Sequence, residues 1–339
     1  MTSMFTPKPD RISVIVPTRD RPSDLADLLL TILDQGCLPF EVIIVDDSPA
    51  VTARRVVDSF MSRFESHNST LKYVKGSGDG LTAARNLGVE ISEGDAILFL
   101  DDDTLLDPNI VSSLTTFLRD NPIAIGVQPN IVSLTEDCDD LSLAKKLQNA
   151  IYKVFLLEYY EKNKLTVRRS GATVFPSVLT RVISTQRLSG CCCCYKLEVF
   201  SELRFDTNLK RWGPGEDLDF SYRVFKMHPR SLYAVPHPKL IHKLSRKARL
   251  PTKLLVNMTT IYRSYVFFKD IYEGSMLNLM AFLGAMSGNL MVTVGGLIVK
   301  RKSRSEWFAL IYLLESYATV LRHLRNIRMG RLDFFNKNL

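Results

Sequence analysis

Charged side chains follow the most apolar stretches in the N-terminal half of the chain. Asp46 and Asp47 come directly after EVIIV, and Asp101, Asp102 and Asp103 come directly after AILFL. Adjacent carboxylates repel one another unless a cation lies among them. Oxygen ligands favour Mg²⁺ or Mn²⁺, and either ion also binds phosphate oxygens. The spacing therefore indicates a divalent-metal and phosphate site, although a lone acidic triplet can equally cap a helix or face solvent.

The elements that must position these carboxylates alternate between strand and helix. Apolar runs and periodic apolar residues predict strands at 11–18, 41–45, 71–74, 96–100 and 123–127, and helices at 22–34, 52–64 and 82–91. This alternation predicts an α/β fold, with a mostly parallel central sheet and flanking helices. Ligands of such sheets collect beyond the carboxyl ends of the strands. Arg19, the two acidic residues after 41–45 and the acidic triplet are therefore expected at one edge.

Three further positions carry groups that can act at such a site. Arg85 lies near the start of a helix, after a glycine-rich loop at 76–80. Glu216 and Asp217 open a helix with an apolar face, and His242 ends a short apolar run. A carboxylate at a helix N-terminus is electrostatically favourable without any catalytic role. The residues by themselves therefore leave structural and functional roles open at these positions.

Five motifs occur in the order that is typical of one enzyme family. They are VIVPTRDR (14–21), VDDS (45–48), ARNLG (84–88), FLDDD (99–103) and GEDLDFSYR (215–223). Over about residues 11–242 the chain resembles glycosyltransferase family 2, whose members have the Rossmann-like GT-A fold. The resemblance implies an inverting hexosyltransferase that uses a UDP-, GDP- or dTDP-sugar as donor and Mn²⁺ or Mg²⁺ as cofactor.

The same resemblance implies a role for each candidate residue. The nucleotide-sugar would contact Pro17, Thr18, Arg19, Asp46 or Asp47, Arg85, Asp101 and Asp102; Asp101, Asp103 and His242 would bind the metal; and Glu216 and Asp217 would supply the catalytic carboxylates. Asp217 would be the base that takes the proton of the acceptor hydroxyl as the hydroxyl attacks the anomeric carbon. Arg246 and Lys247 would add positive charge near the phosphates.

Two other function classes stay open on the sequence. A sugar nucleotidyltransferase shares the sheet and the metal but needs a G-x-G-T-R loop after the first strand, where residues 17–20 read PTRD. A non-catalytic membrane scaffold with a nucleotide-binding fold would not need the acidic motifs to be intact. Processive members of the family carry Gln-x-x-Arg-Trp after the base, and nothing after Asp217 matches it. Transfer of a single sugar is therefore predicted.

The C-terminal part of the chain has a different composition. Residues 240–339 contain 16 Lys and Arg against 5 Asp and Glu, a net charge of +11 in a chain whose total is +8. Residues 277–299 are uncharged and long enough to cross a hydrocarbon core of roughly 30 Å, and 300–304 read KRKSR. Basic residues beside an apolar run indicate a membrane surface rather than nucleic acid.

We therefore predict two domains, a transferase domain at 1–245 and a helical membrane-associating region at 246–339. That region can span the membrane, re-enter it or lie on it, and its helices can form a homo-oligomer. No secretory signal is expected at the N-terminus, so the transferase is expected at the cytoplasmic face of a membrane. The expected acceptor is a lipid-linked substrate, of the polyprenyl type, or a glycan.

Four of the six cysteines are consecutive, at 191–194. The resemblance places them in a short strand before the base motif. Successive strand residues point to opposite faces, so four adjacent thiols cannot converge on one zinc ion. We predict buried apolar thiols, with Cys191 and Cys193 on one face and Cys192 and Cys194 on the other.

Overall fold

The computed structural model describes residues 11–133, 143–245, 252–299, 304–337 and 339. The chain divides into two compact units. The first comprises Met1–Glu136, Leu179–Thr207 and Glu216–Ala248, and the second comprises Asp137–Val178, Asn208–Gly215 and Arg249–Leu339. The predicted boundary between the two domains lies at residue 245. The second compact unit also includes two segments that precede this boundary, Asp137–Val178 and Asn208–Gly215.

Strands and helices alternate along the N-terminal half, as the sequence predicts. Up to residue 133 the elements are β1 (Ile12–Thr18), α1 (Pro22–Leu33), β2 (Glu41–Asp46), α2 (Thr52–Glu65), β3 (Thr70–Lys75), α3 (Leu81–Glu90), β4 (Ala96–Leu100), β5 (Thr104–Leu106), α4 (Ile110–Asp120) and β6 (Gly126–Ser133). The strand predicted at 123–127 is β6, which begins later and runs further than its sequence pattern indicated.

The remaining elements are shorter strands followed by longer helices. Between residues 143 and 242 they are α5 (Leu143–Val154), β7 (Tyr159–Glu161), β8 (Thr166–Val167), β9 (Thr173–Pro176), β10 (Ile183–Thr185), β11 (Cys192–Lys196), α6 (Val199–Glu202), α7 (Glu216–Met227) and β12 (Leu232–His242). After residue 251 they are α8 (Thr252–Val266), a π-helical turn (Phe267–Ile271), α9 (Met276–Val299), α10 (Arg304–Arg322), α11 (Leu324–Arg328) and α12 (Asp333–Asn336).

The first unit is built on one nine-stranded sheet. Its strand order is β10-β12-β6-β11-β4-β1-β2-β3, and β5 pairs with the end of β12. The four strands β3-β2-β1-β4 are parallel, and β12 is parallel to β6. Strand β11 lies antiparallel between β4 and β6. The predicted α/β fold is confirmed, and the carboxyl ends of β1, β2 and β4 lie at one edge of the sheet.

Alternate residues of the central strands enter two separate apolar clusters. In β1, Val14 and Val16 belong to one cluster and Ile15 to the other, and in β2 Ile44 and Ile43 divide in the same way. A sheet that is covered on both faces requires continuous apolar runs instead of alternating ones. The β-branched runs at 11–18 and 41–45 therefore form buried strands, which hold the polar residues at their ends in fixed positions.

The four consecutive cysteines are buried, as predicted, and they are free thiols. Cys192 and Cys194 face one apolar cluster and Cys193 faces the other, which confirms the alternation within β11. The pairing of Cys191 with Cys193 is wrong: Cys191 shares the cluster of Cys192 and Cys194. The physical reason is that β11 begins at Cys192, so the strand alternation does not extend to the preceding residue.

The second unit combines a three-stranded sheet, in the order β7-β9-β8, with the C-terminal helices. The helices predicted for the C-terminal region are present in its described part as α8 with the π-helical turn, α9, and α10 with α11. Among the described residues, one helical stretch, Met276–Leu297, is long and apolar enough to cross a membrane. Length and composition alone are weak evidence for such a span.

Candidate active site

Two carboxylates and one imidazole meet at the carboxyl end of β4. Asp101 and Asp103 follow β4, and the short strand β5 then pairs antiparallel with the end of β12, so that Thr104 lies opposite His242. One potential ligand atom from each of Asp101, Asp103 and His242 lies within 4.8 Å of the others. In the described part of the chain no other group of three such side chains meets this closely. This donor set fits a divalent cation such as Mn²⁺ or Mg²⁺.

The charges within this cluster stabilise one another. His242 Nε2 lies 3.1 Å from Asp103 Oδ1. Burial lowers the pKa of His242, but the hydrogen bond to the Asp103 carboxylate outweighs it and raises the pKa to about 11. Burial raises the pKa of Asp103, and contact with His242 outweighs it in the opposite direction. A divalent cation at this site would take the place of the proton on His242, because an imidazole must be neutral to bind a metal.

Asp102, between the two metal-ligand candidates, joins the ends of β4 and β1. Its Oδ2 accepts a hydrogen bond of 2.8 Å from the Thr18 hydroxyl, and its Oδ1 accepts one of 3.1 Å from Arg21. Burial raises the pKa of Asp102 to about 7. Arg21 Nη1 also lies 3.3 Å from Asp103 Oδ2. Arg21 is not among the site residues predicted from the sequence. A direct contact of Asp102 with the nucleotide stays a prediction.

Both acidic residues at the end of β2 bind other parts of the chain. Asp46 accepts hydrogen bonds of 2.9 Å from the Tyr73 hydroxyl and from the Ser48 amide. Asp47 accepts them from the amides of Gly78 and Gly80, at 2.8 and 2.9 Å. The glycine-rich loop at 76–80 is therefore fastened to β2 through Asp47. A role of either carboxylate in binding a nucleotide base stays a prediction.

The end of β1 places its three candidate residues beside β2. Pro17 and Thr18 pair in register with Val45 and Asp46, and both are buried. The Arg19 side chain is 36% exposed, and its Nε lies 3.9 Å from Asp20. The partly exposed Arg19 side chain is accessible to a ligand at this edge of the sheet, whereas Pro17 and Thr18 are buried.

Arg85 connects the cluster at β4 to the start of α7. Its side chain is 1% exposed, and Nη1 donates to Glu216 Oε2 at 2.5 Å. Nη2 donates to the Gly190 carbonyl at 2.8 Å and to Asp101 Oδ1 at 3.3 Å. A Cβ at position 190 would lie 2.6 Å from Glu216 Oε1, so a larger residue there would displace the Glu216 side chain. The predicted role of Arg85 in holding a nucleotide is untested by these contacts.

Burial and the neighbouring arginine act in opposite directions on Glu216. Burial raises the pKa of Glu216 to about 8, even though the guanidinium of Arg85 favours the ionised form. The opposing charges of Glu216 and Asp101 raise the pKa of Arg85 in spite of its burial. The buried contact between Glu216 and Arg85 is typical of a structural interaction. A catalytic role of Glu216 stays a prediction.

Asp217 has a different environment from its neighbour. Its Oδ2 accepts hydrogen bonds from Arg187 Nη2 at 2.7 Å and from the Gly190 amide at 3.1 Å. Burial raises the pKa of Asp217, but Arg187 outweighs burial and the pKa is lowered. Asp217 is therefore a carboxylate at neutral pH. No sequence pattern predicts the contact of Arg187 with Asp217, because Arg187 stands 30 residues earlier in a stretch without a motif.

The comparison with known sequences agrees with the motifs. A sequence profile of Glycosyl transferase family 2 matches residues 13–181, about half of the chain. That stretch contains β1, the acidic triplet and Arg85. The chain belongs to glycosyltransferase family 2. The hyaluronan synthase of Pasteurella multocida is 26% identical over 230 residues, which are 63% of this chain and 23% of the synthase. This family 2 chain spans about a quarter to a third of the length of the curated relatives it matches.

Solved structures confirm the GT-A fold of this family 2 chain. The mannosyltransferase PcManGT from Pyrobaculum calidifontis, in complex with GDP-Man and Mn²⁺, is 17% identical with a TM-score of 0.57, over 93% of this chain and 89% of that one. GalNAc-T7 with UDP, GalNAc and Mn²⁺ is 15% identical with a TM-score of 0.54, over 82% of this chain and 55% of that one. At these identities the likeness shows the fold alone.

The structure brings most of the predicted residues of the family 2 site together. Asp101, Asp103 and His242 form a candidate metal-ligand cluster, and Arg85 connects Asp101 to Glu216, the neighbour of Asp217. The profile ends at residue 181, before Arg187, the GEDLDFSYR motif and His242. The proposed roles of these residues therefore rest on the geometry of the structure. Arg246 and Lys247 lie outside the described residues.

Proposed function

We propose that this chain is a divalent-metal-dependent glycosyltransferase that moves one sugar from a nucleotide-sugar to an acceptor hydroxyl, with inversion at the anomeric carbon. One observation carries the proposal: Arg85 joins the Asp101–Asp103–His242 cluster to the helix start that bears Asp217. A metal site and an ionised carboxylate thus belong to one connected network. Each has a separate task in glycosyl transfer.

The donor is a nucleoside diphosphate sugar. Two structures with the same fold hold UDP or GDP-Man together with Mn²⁺. In this chain the nucleotide would lie against Pro17, Thr18 and Arg19 at the end of β1, with Asp46 or Asp47 near its base. Asp101, Asp103 and His242 would hold the cation, either Mn²⁺ or Mg²⁺, and the bound ion would supply positive charge that stabilises the departing diphosphate.

Asp217 is the base. The acceptor oxygen forms a bond to the anomeric carbon, the bond from that carbon to the diphosphate breaks, and the hydroxyl proton passes to Asp217. Because Arg187 and the Gly190 amide lower its pKa, Asp217 is ionised before the acceptor arrives. The same two contacts fix the orientation of the carboxylate. Attack from the face opposite the leaving group inverts the configuration of the sugar.

The acceptor is a lipid-linked substrate or a growing glycan. Relatives named hyaluronan synthase and chondroitin synthase support a glycan. The apolar helix α9 and the basic composition of residues 240–339 support a lipid anchor and a place at the cytoplasmic face of a membrane. The missing Gln-x-x-Arg-Trp motif supports a single addition instead of polymerisation.

A panel of nucleotide-sugars tests the proposal directly. We expect the purified chain to release the nucleoside diphosphate slowly from one UDP-, GDP- or dTDP-sugar in the presence of Mn²⁺, because water can replace the acceptor. Chelation with EDTA should abolish the release, and added Mn²⁺ or Mg²⁺ should restore it. Release that persists in EDTA, or release of pyrophosphate in place of the nucleoside diphosphate, contradicts the proposal.

Arg187→Met should shift the pH dependence of transfer. Arg187 lowers the pKa of Asp217, so its removal raises that pKa toward the value that burial favours. The active form is the carboxylate, so the acid limb of the kcat profile should move to higher pH and activity should be lost first on the acid side. Arg187→Lys should restore part of the shift, and the exposed Arg181→Met is the matched control. A profile that falls uniformly at all pH values would contradict a role for Arg187 in tuning the base.

A further inference from the structure

Helix α9 has one buried face and one exposed face. Ala281, Phe282 and Ala285 are only 7–9% exposed, and a Cβ at Gly288 would meet the Cβ of Phe155 at 2.4 Å. Apolar side chains that are 39–65% exposed recur at helical spacing on the other side: Leu277, Met280, Leu283, Met291 and Val294. In the described residues, a long stripe of apolar surface therefore has no protein cover.

Helix α10 has the same division. Ser316 and Val320 are 1–2% exposed, and the Ser316 hydroxyl donates to Asn257 Oδ1 of α8 at 2.7 Å. Its uncovered stripe consists of side chains that are 44–67% exposed: Trp307, Phe308, Ile311, Leu314 and Leu321. Contiguous exposed apolar surface of this kind marks a site of interaction with a partner or a membrane.

The two helices lie side by side and run antiparallel. The Tyr317 hydroxyl donates to the Met286 carbonyl at 2.8 Å. Met286 stands 13 residues before the end of α9 at Val299, and Tyr317 stands 13 residues after the start of α10 at Arg304. A contact between residues equally distant from the connection between two helices is the mark of a helical hairpin.

Both arms of this hairpin rest on one continuous helical run, formed by α8 and the π-helical turn. Phe282 of α9 stacks on Phe267 at 4.1 Å, and Asn278 donates to the Ile271 carbonyl at 2.7 Å. Ser316 of α10 contacts α8, as described above. The buried faces of both arms point toward the same run, so their apolar stripes point away from it. We call these ten exposed apolar residues the hairpin face.

We propose that the hairpin face lies in the plane of a membrane surface that carries anionic headgroups. This deepens the proposed function, on which it rests for the lipid-linked acceptor. Basic residues flank the two helices in the sequence: KRKSR at 300–304 stands between α9 and α10, and Arg322, Arg325 and Arg328 stand at and after the end of α10. Each such residue near an anionic leaflet adds to the affinity for the membrane. Apolar burial and charge thus favour the same orientation, with the hairpin axis parallel to the surface.

A crossing of the membrane fits these contacts less well. Glu315 lies near the middle of α10 and pairs with Lys253 at 2.8 Å, and the two side chains are 48% and 53% exposed. A charged side chain at the bilayer centre is strongly unfavourable. In the in-plane orientation this pair stays at the level of headgroups and water.

A second copy of the chain is a weaker candidate for the same face. Both ends of the hairpin are basic, so either alignment of two hairpins brings positive ends against positive ends. Such juxtaposition opposes association, whereas an anionic lipid surface meets the same charges with counter-charge. The occupant that the charges favour is therefore lipid.

Vesicle flotation tests the proposal with the full chain. We expect the protein to float with vesicles of phosphatidylcholine and phosphatidylglycerol, more weakly with phosphatidylcholine alone, and less as salt rises. Leu283→Glu with Leu314→Glu should lower the bound fraction at least about tenfold, because apolar burial is lost and negative charge is added. Ile123→Glu is the matched control, since Ile123 is 73% exposed in the first unit and outside the hairpin face. All variants should keep the wild-type melting temperature.

Two further measurements separate lipid from the other arrangements. Alkaline carbonate should release the protein from vesicles, and quenching of Trp307 by brominated lipids should be strongest with shallow bromines and absent in Trp307→Phe. Resistance to carbonate, no flotation of the wild type, or a double variant that changes only the oligomeric state would each overturn the proposal. Asp217→Asn should float like the wild type, so a failure to bind vesicles and a failure to transfer sugar are distinguishable.

Discussion

Asp217→Asn is expected to lower kcat for sugar transfer by about 100- to 10,000-fold, the usual contribution of a general base. The amide has the size of the carboxylate and its oxygen can still accept from the Gly190 amide, but it cannot take a proton from the acceptor hydroxyl. The KM for the nucleotide-sugar should change little, because the metal cluster and the end of β1 are untouched. Initial rates at saturating donor, with the melting temperature as a check on folding, measure the effect.

Two controls make this result specific. Asp58→Asn removes an exposed carboxylate on α2 that pairs with Arg54, one helical turn away, and should be silent. Glu216→Gln keeps a hydrogen-bond acceptor for Arg85 and should retain far more activity than Asp217→Asn. Equal transfer by Asp217→Asn and the wild type would remove Asp217 from the mechanism. A larger loss in Glu216→Gln at unchanged stability would make Glu216 the base instead.

The sequence predicted the edge of the sheet well because strand ends follow from simple patterns. The runs at 11–18, 41–45 and 96–100 are apolar throughout, which is typical of strands buried on both faces. Once those strands are parallel, Asp46, Asp101 and Asp103 must lie at one edge. His242 joins them because β5 pairs with the end of β12.

Side-chain pairings between distant segments could not be predicted in this way. Arg187 and the Gly190 amide both donate hydrogen bonds to Asp217 Oδ2, and no local pattern around residue 187 encodes that approach. The sheet of the second unit consists of strands of two to four residues, too short for a period to be visible. The motif around Arg85 indicated a cation near the site, but its complete burial against Glu216 depends on tertiary packing.

Arg85→Met should destabilise the chain by about 3–5 kcal/mol, the usual effect of removing one partner of a buried ion pair. Glu216, with 8% of its side chain exposed, would lose its charged partner, and the Gly190 carbonyl and Asp101 would each lose a donor. Urea unfolding at neutral pH measures the loss, and Arg54→Met, at an exposed ion pair, is the matched control with little expected effect.

The pH dependence of this loss identifies its cause. Burial already raises the pKa of Glu216 to about 8, and without the guanidinium that pKa rises further. A carboxyl whose pKa is higher in the folded state binds more protons when folded, so wild type and Arg85→Met should both gain stability as the pH falls from 8 toward 5; the loss caused by the substitution should grow as the pH rises through 8, where the wild-type carboxyl ionises beside Arg85 and the carboxyl in Arg85→Met stays protonated. The double variant Arg85→Met with Glu216→Leu removes the unpaired acid and should recover part of the stability without that pH dependence. If the stability losses of Arg85→Met and Glu216→Leu, measured singly, add up in the double variant, the two side chains do not act as a pair.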